Sequence, residues 1–386
     1  MFSKNLRYYR LREGISKKEL AHRAGLSPQA ISNYENDKRR PDIAIIRKIA
    51  QALNRSIADF LYERDQSLLF QHGSFRRNSF LTKAQQDLVR EAVEEYFSRF
   101  FSIVEVLGGE VLPPTPVCHT LEFSLSDEEN ARHLRQCLRL SEEGPVGNLI
   151  QLLENKGILV YLHDGDRQFS CLGGTINGRP YVVLNKNMHA ERMRSTLVQK
   201  LVDLMFVWPS DMPDKEQERR ATAISGAFLF PKDDVRRELG LHRKGISKDM
   251  EAVCQEYGIS KLLLARRART CGVISVSAER AFCTHASSWG GEDERARAHE
   301  REEATLFRQL VFRAVSEDEI SVSKGAELLR MPVSVLIRSC HFPLRGVSHV
   351  TSVMDSRSCI CKHLLSININ TRRICSLQQI TIVNPC

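Results

Sequence analysis

The stretch Ser16–Pro41 reads SKKELAHRAGLSPQAISNYENDKRRP. Its apolar residues Leu20, Ala21, Ala24, Leu26, Ala30, Ile31 and Tyr34 fall at three- and four-residue spacing within each half, as a buried helix face requires. Gly25 divides the halves, and a glycine is the residue that most easily ends a helix. Ser27 follows where its hydroxyl can accept a hydrogen bond from a free backbone N–H of the next turn. Two short helices joined by a tight turn are therefore predicted. With Ile31 and Tyr34 turned inward, Pro28, Gln29, Ser32 and Asn33 point outward.

Outward Gln and Asn are side chains that can pair with an adenine edge in a major groove. The flanks extend the pattern, with Leu6, Leu11 and LREGISKKELA before it, then YENDKRRPD and IAIIRKIAQALNRSIADFL after it. On these segments residues 1–62 resemble an XRE-type (Cro/CI-like) DNA-binding domain, a five-helix, lambda-repressor-like fold. The resemblance implies that Pro28, Gln29, Ser32 and Asn33 approach base edges. It also implies that Lys17, Lys18, Asn36, Lys38 and Arg39 approach phosphates. A generic helical bundle with a polar face is the bland alternative. The joint presence of cap, turn, buried spacing and basic exit loop favours the DNA reader.

At 386 residues the chain is too long for one compact core, and two or three domains are expected. Its 42% hydrophobic and 27% charged residues are ordinary for a globular protein. No apolar run approaches the roughly eighteen residues that cross a bilayer. The start MFSKNLRYYRLREG lacks the apolar core of a signal peptide, so a cytoplasmic protein without a membrane partner is expected. The net charge is +9, and residues 1–62 hold thirteen Lys and Arg against six Asp and Glu. Most of the excess thus sits where phosphates would be met and counterions released. Eleven cysteines without a C-x-x-C pair read as reduced core residues rather than a disulfide frame. Cys359, Cys361 and His363 are too closely set for a zinc site, and no metal or cofactor is expected.

Residues 63–82 lack periodicity and read as a connector. Lys83–Leu107 reads as a helix with one apolar stripe, Val89, Val93, Tyr96, Phe97, Phe100 and Val104. The stripe either pairs two copies on a palindromic operator or packs onto a neighbouring domain. The tandem prolines of Gly108–Cys118 mark a domain boundary, which makes 63–118 a connecting segment. Helical stretches then lead to the strand ILVYLH, Ile158–His163. Asn177-Gly178 between two β-prone runs predicts a hairpin, since both residues tolerate positive φ. Gly173-Gly174 reads as a bulge or turn, and His189–Trp208 as a helix.

The order PVGNLIQLLENKGILVYL, RPYVVLN, ERMRSTLVQKLVDLMF, ERRATAISGAFLFP resembles the ImmA/IrrE (DUF955) metallopeptidase-like family. The family helix carries TLAHELGHLLL, whose two His bind zinc while the Glu between them acts as general base. Here the ligand positions are Gln199 and Asp203, the base position is Lys200, and the remaining ligand position is Glu218. An ammonium cannot take a proton from metal-bound water and repels the cation. Lys200 is expected to pair with Asp203 or Glu218 instead. The resemblance therefore implies an α+β, zincin-like pseudo-peptidase domain over 119–345, with no catalytic residue and no metal.

His299-Glu300 with Glu303 reads as part of a solvated charged face. Ser247–Ser275 and Ser321–Arg338 each repeat the helix, break and cap punctuation. They read either as packing against the peptidase-like core or, through Arg266, Arg267 and Arg269, as a second DNA reader. The tail 346–386 binds a partner, extends a sheet or reflects a changed reading frame, and these alternatives stay open. The fold expected is mainly α with a small β-sheet. The function expected is a dimeric transcriptional regulator on a double-stranded DNA operator, either a repressor or an autoregulating antitoxin that grips a toxin. The alternative is a zinc-dependent metallopeptidase that cleaves a repressor.

Overall fold

A computed structural model describes residues 2–62, 67–75, 81–116, 122–286 and 302–340. Five helices open the chain: α1 (Phe2–Arg12), α2 (Lys17–Ala24), α3 (Pro28–Glu35), α4 (Ile43–Ala52) and α5 (Ile57–Leu61). Ser16, Ser27, Asp42 and Ser56 cap the last four, each side chain accepting from a backbone N–H three residues on. Losing one such cap typically costs about 1 kcal/mol, so the helix starts are set locally. The inward faces meet on Leu6, Leu20, Ile31, Ile49 and Phe60, all fully buried.

Next come β1 (Phe70–Phe75), α6 (Lys83–Val106), α7 (Asp127–Cys137) and α8 (Leu149–Asn155). The strands β2 (Leu159–His163), β3 (Cys171–Ile176) and β4 (Arg179–Asn185) lead to α9 (Ala190–Met205) and α10 (Asp214–Leu229). The rest is helical: α11 (Lys232–Leu239), α12 (Met250–Tyr257), α13 (Lys261–Thr270) and α14 (Val276–Ala286), then α15 (Leu306–Ser316), α16 (Val322–Leu329) and α17 (Val333–Cys340). The described chain is mainly helical with one small sheet.

That sheet has the order β1-β3-β4-β2. The predicted hairpin is present: Ile176 pairs with Arg179, and Asn177 and Gly178 between them have φ of 49° and 78°. Both positive values match the twist that a two-residue hairpin needs. β2 runs parallel to β4, and β1 runs antiparallel to β3 at the edge.

Two expectations are corrected by this sheet. Part of the segment read as a connector is the edge strand β1, whose hydrogen-bonding partner lies about a hundred residues further on. The irregularity assigned to Gly173-Gly174 sits instead in β1, between His72 and Phe75. Both glycines run through β3 because neighbours come close on either side. A Cβ on Gly174 would lie 2.3 Å from the Gln71 carbonyl oxygen, and one on Gly173 would lie 2.6 Å from Cδ of Lys200.

Alternating residues of the strands divide the interior into two cores. Val182 and Leu184 of β4 face α9, in a cluster with Leu197 and Leu201. Tyr181 and Val183 face the other way, against Val93, Phe97 and Phe100 of α6. The α6 stripe is therefore covered within the chain, with Tyr96 stacked on Tyr161 at 4.0 Å between ring centroids. Of its two expected uses the stripe serves packing, and it is not an exposed dimer face.

Candidate nucleic-acid interface

The turn between α2 and α3 is built as its residues demand. Gly25 adopts the left-handed conformation, φ 64° and ψ 38°, and its N–H returns to the carbonyls of Ala21 and His22. Ser27 Oγ accepts from Ala30 N at 3.1 Å, and Pro28 occupies the first helical turn, where no N–H is needed. One determinant of the site was missed in the sequence. Arg10 of α1 forks onto Glu35 at the end of α3, at 2.5 and 3.0 Å, and also donates to the Ile15 carbonyl. The Glu35 side chain is 2% exposed, so this buried pair fixes the angle of α3. The available signal was spacing, since Glu35 stands four residues after Ile31 on the inward face.

Pro28 and Gln29 are exposed, while Ser32 and Asn33 are half-buried on the same side of α3. Gln29 Nε2 donates to Asn33 Oδ1 at 3.0 Å, which aligns the two amides along one ridge. The Gln29 carbonyl oxygen and the Asn33 amide N–H groups remain, an acceptor and donors suited to a base edge. Ser32 Oγ accepts from Lys17 Nζ and Asn36 Nδ2, each at 3.3 Å. Lys17 also lies 3.5 Å from Glu35, so it is tied to α3 and carries less free charge than the sequence implied. Lys18, Lys38 and Arg39 are exposed and form no ion pair among the described residues. Arg40, not singled out beforehand, shares that exposure beside Arg39. An amide ridge flanked by unneutralised cations can read bases and hold phosphates together.

The second set of predicted residues also converges. Gln199, Lys200 and Asp203 of α9 and Glu218 of α10 line one cavity of about 270 Å³. The 8%-exposed Lys200 side chain places Nζ 2.9 Å from Asp203 Oδ2, so its partner is Asp203. Gln199 donates to Thr222 Oγ1 at 3.1 Å, and Thr222 in turn donates to the Glu218 carbonyl. This donor set does not fit zinc, because the Lys200 ammonium occupies it and, among the described residues lining the cavity, no imidazole joins Asp203 and Glu218. Among the described residues no group of three or more His, Cys, Asp and Glu side chains is placed to hold a metal ion.

The repeated punctuation in α12 and α13 is real, with Gly258 at φ 60° and Ser260 capping α13. Its basic residues are largely engaged: Arg267 is buried, forks onto Glu128 and donates to the Phe230 carbonyl. Arg269 pairs with Glu279, which leaves only Arg266 exposed among the three. Packing against the core is therefore what α13 does. His299, Glu300, Cys359, Cys361, His363 and the tail 346–386 lie outside the described residues. No described helix is long and apolar enough to cross a membrane.

No curated protein and no solved structure matches the chain. Residues 6–60, within the five-helix segment, match the Helix-turn-helix family model, and the match supports DNA binding of the XRE type by that segment.

Proposed function

We propose that the chain is a sequence-specific transcriptional regulator that reads a double-stranded operator through α3, with the remaining residues receiving a signal or a protein partner. The observation that supports this most is the Gln29–Asn33 amide ridge, standing between Lys18 and the Lys38-Arg39-Arg40 loop within the matched segment. Two versions share that chemistry: a repressor, and an antitoxin that represses its own promoter while gripping a toxin. Two copies would meet on a palindromic site through a surface other than the α6 stripe, which is internal.

The body, in this proposal, is a pseudo-peptidase of the ImmA/IrrE kind without hydrolytic chemistry. What supports it is the convergence of Gln199, Lys200, Asp203 and Glu218 on one cavity. The same convergence is all that favours the alternative, a zinc peptidase that cleaves a repressor, and the Lys200 ammonium opposes it. Stoichiometric zinc on the purified protein, lost on Asp203→Ala, would establish the alternative.

DNA reading is tested by fluorescence anisotropy with duplexes from the region upstream of the coding sequence, against random competitor. The protein is expected to select one duplex. Gln29→Ala/Asn33→Ala is expected to lose about 1–3 kcal/mol of that selectivity per amide contact while keeping salt-sensitive background binding. Equal discrimination by both proteins removes α3 from the reading role.

A further inference from the structure

Among the described residues lining the cavity at α9 and α10 are three carboxylates, Asp203, Asp214 and Glu218, and one cation, Lys200. A lysine is seldom buried, because its ammonium gives up hydration that only a close partner replaces. Here the side chain is 8% exposed, and Asp203 Oδ2 supplies that partner at 2.9 Å. The Asp203 side chain is 44% exposed, so the ammonium is the more enclosed member of the pair.

The fold also makes room for the stem that carries this charge. Lys200 crosses β3 at Gly173, where a Cβ would lie 2.6 Å from its Cδ and 2.9 Å from its Cγ. An alanine there would displace the methylenes from that lane. Gln199, the neighbour of Lys200 on α9, is turned to Thr222 Oγ1 on α10. The Glu218 carboxylate forms no ion pair among the described residues, so Lys200 is the one positive charge that the lining itself supplies.

We infer that Lys200 is a resident cation: it holds, from within the chain, the place beside Asp203 that a bound metal ion or organic cation would otherwise take, and so keeps the cavity closed to exchangeable cations. A tethered ammonium is present at high effective concentration and gives up no translational freedom on pairing. An incoming ion gives that freedom up and also meets a like charge. This role rests on the pseudo-peptidase reading for the identity of the excluded ion, zinc, and on the cavity alone for the pairing. It does not depend on whether α3 reads DNA.

Thermal unfolding of the full chain tests the role. Lys200→Ala removes Cγ to Nζ, the heavy atoms of n-propylammonium, and is expected to melt several degrees lower than the native protein. n-Propylammonium is expected to restore its melting temperature saturably, whereas uncharged 1-propanol restores little of it. Lys200→Ala/Asp203→Asn is expected to lose the response, and the native protein to respond to neither n-propylammonium nor zinc. Should Lys200→Ala not fold, Lys200→Gln keeps the space filled without the charge. That variant is expected to melt below the native protein, and Lys200→Gln/Asp203→Asn to regain most of the difference. No saturable rescue, equal rescue by amine and alcohol, or a Lys200→Gln protein as stable as the native one would overturn the role and leave the pseudo-peptidase reading standing. Stoichiometric zinc on the native protein would overturn both.

Discussion

Arg330 and Glu95 stand 235 residues apart in the chain and 2.6 Å apart in space. From that pair Arg330 also donates to the hydroxyls of Tyr8 and Tyr9 on α1, at 3.1 and 3.2 Å. Glu95 in turn holds Arg99, which donates to the Leu328 carbonyl. The helix-turn-helix segment is thereby fastened to α6 and α16 by one shared carboxylate. Lys4–Glu94 and Arg7–Asp87 support it at the surface.

The two ends of this clasp should not be equivalent. Glu95→Ala leaves two guanidiniums without a counter-charge, one of them on an 11%-exposed side chain, and is expected to cost about 3–5 kcal/mol. Arg330→Ala leaves Glu95 still paired with Arg99 and is expected to cost about 1–3 kcal/mol. Urea unfolding of both variants gives the ranking, and an Arg330→Ala protein less stable than Glu95→Ala would contradict it.

In the proposed DNA reading, the exit-loop cations Lys38 and Arg39 set affinity without choosing sequence. Lys38→Ala/Arg39→Ala is expected to weaken binding to operator and random duplex alike, and to reduce the slope of log K against log salt by about two. Anisotropy titrations at several salt concentrations check this. A selective loss for one duplex would give these residues a reading role instead.

Glu154 supplies a pH dependence of defined sign. It is 4% exposed, and its Oε2 accepts the N–H groups of Thr305 and Leu306 at the start of α15. Burial raises its pKa from 4.5 to about 7, against the opposing pull of those hydrogen bonds. The folded state thus binds the proton more tightly than the unfolded state. Its contribution is fully present below pH 4.5 and is lost as pH rises through about 7, by about 3 kcal/mol in all. Buried His163, with its pKa lowered, works in the opposite direction as pH falls from 6.5 towards 4. The difference between the native protein and Glu154→Gln isolates the first effect. The variant is expected to gain in relative stability from pH 5 to pH 8, and a flat difference would contradict the assignment.

The paired glycines of β3 differ in what they spare. An alanine at position 174 would press its Cβ on the Gln71 carbonyl oxygen, which is backbone, and on Tyr181. At position 173 it would meet the methylenes of Lys200, a side chain with some freedom to shift. Gly174→Ala is expected to be the costlier change, with about 1–3 kcal/mol for the milder Gly173→Ala. Thermal unfolding ranks them.

What could be read beforehand follows from the range of the interactions. The turn at Gly25, the cap at Ser27 and the Asn177-Gly178 hairpin are settled by residues within four positions of each other, so spacing was enough. Only the family resemblance groups Gln199, Lys200, Asp203 and Glu218, and the two consecutive helices α9 and α10 bring them to one cavity. β1 could not be recognised: FQHGSF does not alternate, its bulge disturbs the register, and its partner strand begins at Cys171. Nor could the Glu95 clasp, because nothing near Glu95 in the chain announces Arg330. Arg267 looked like a surface cation until its carboxylate partner, Glu128, appeared 139 residues away.

The placement of β1 has a consequence for how the polypeptide can be divided. The strand lies in sequence between the five-helix segment and α6, yet it completes the sheet by lying alongside β3. The helix-turn-helix segment is joined to the body by packed side chains as well, Arg330 on Tyr8 and Tyr9 among them. A cut just before β1 would sever Tyr8 and Tyr9 from their anchor, and a fragment beginning at residue 119 would strip both an edge and an aromatic lid from what remains. Shuffling this head onto another protein would carry away only half of the joint that holds it.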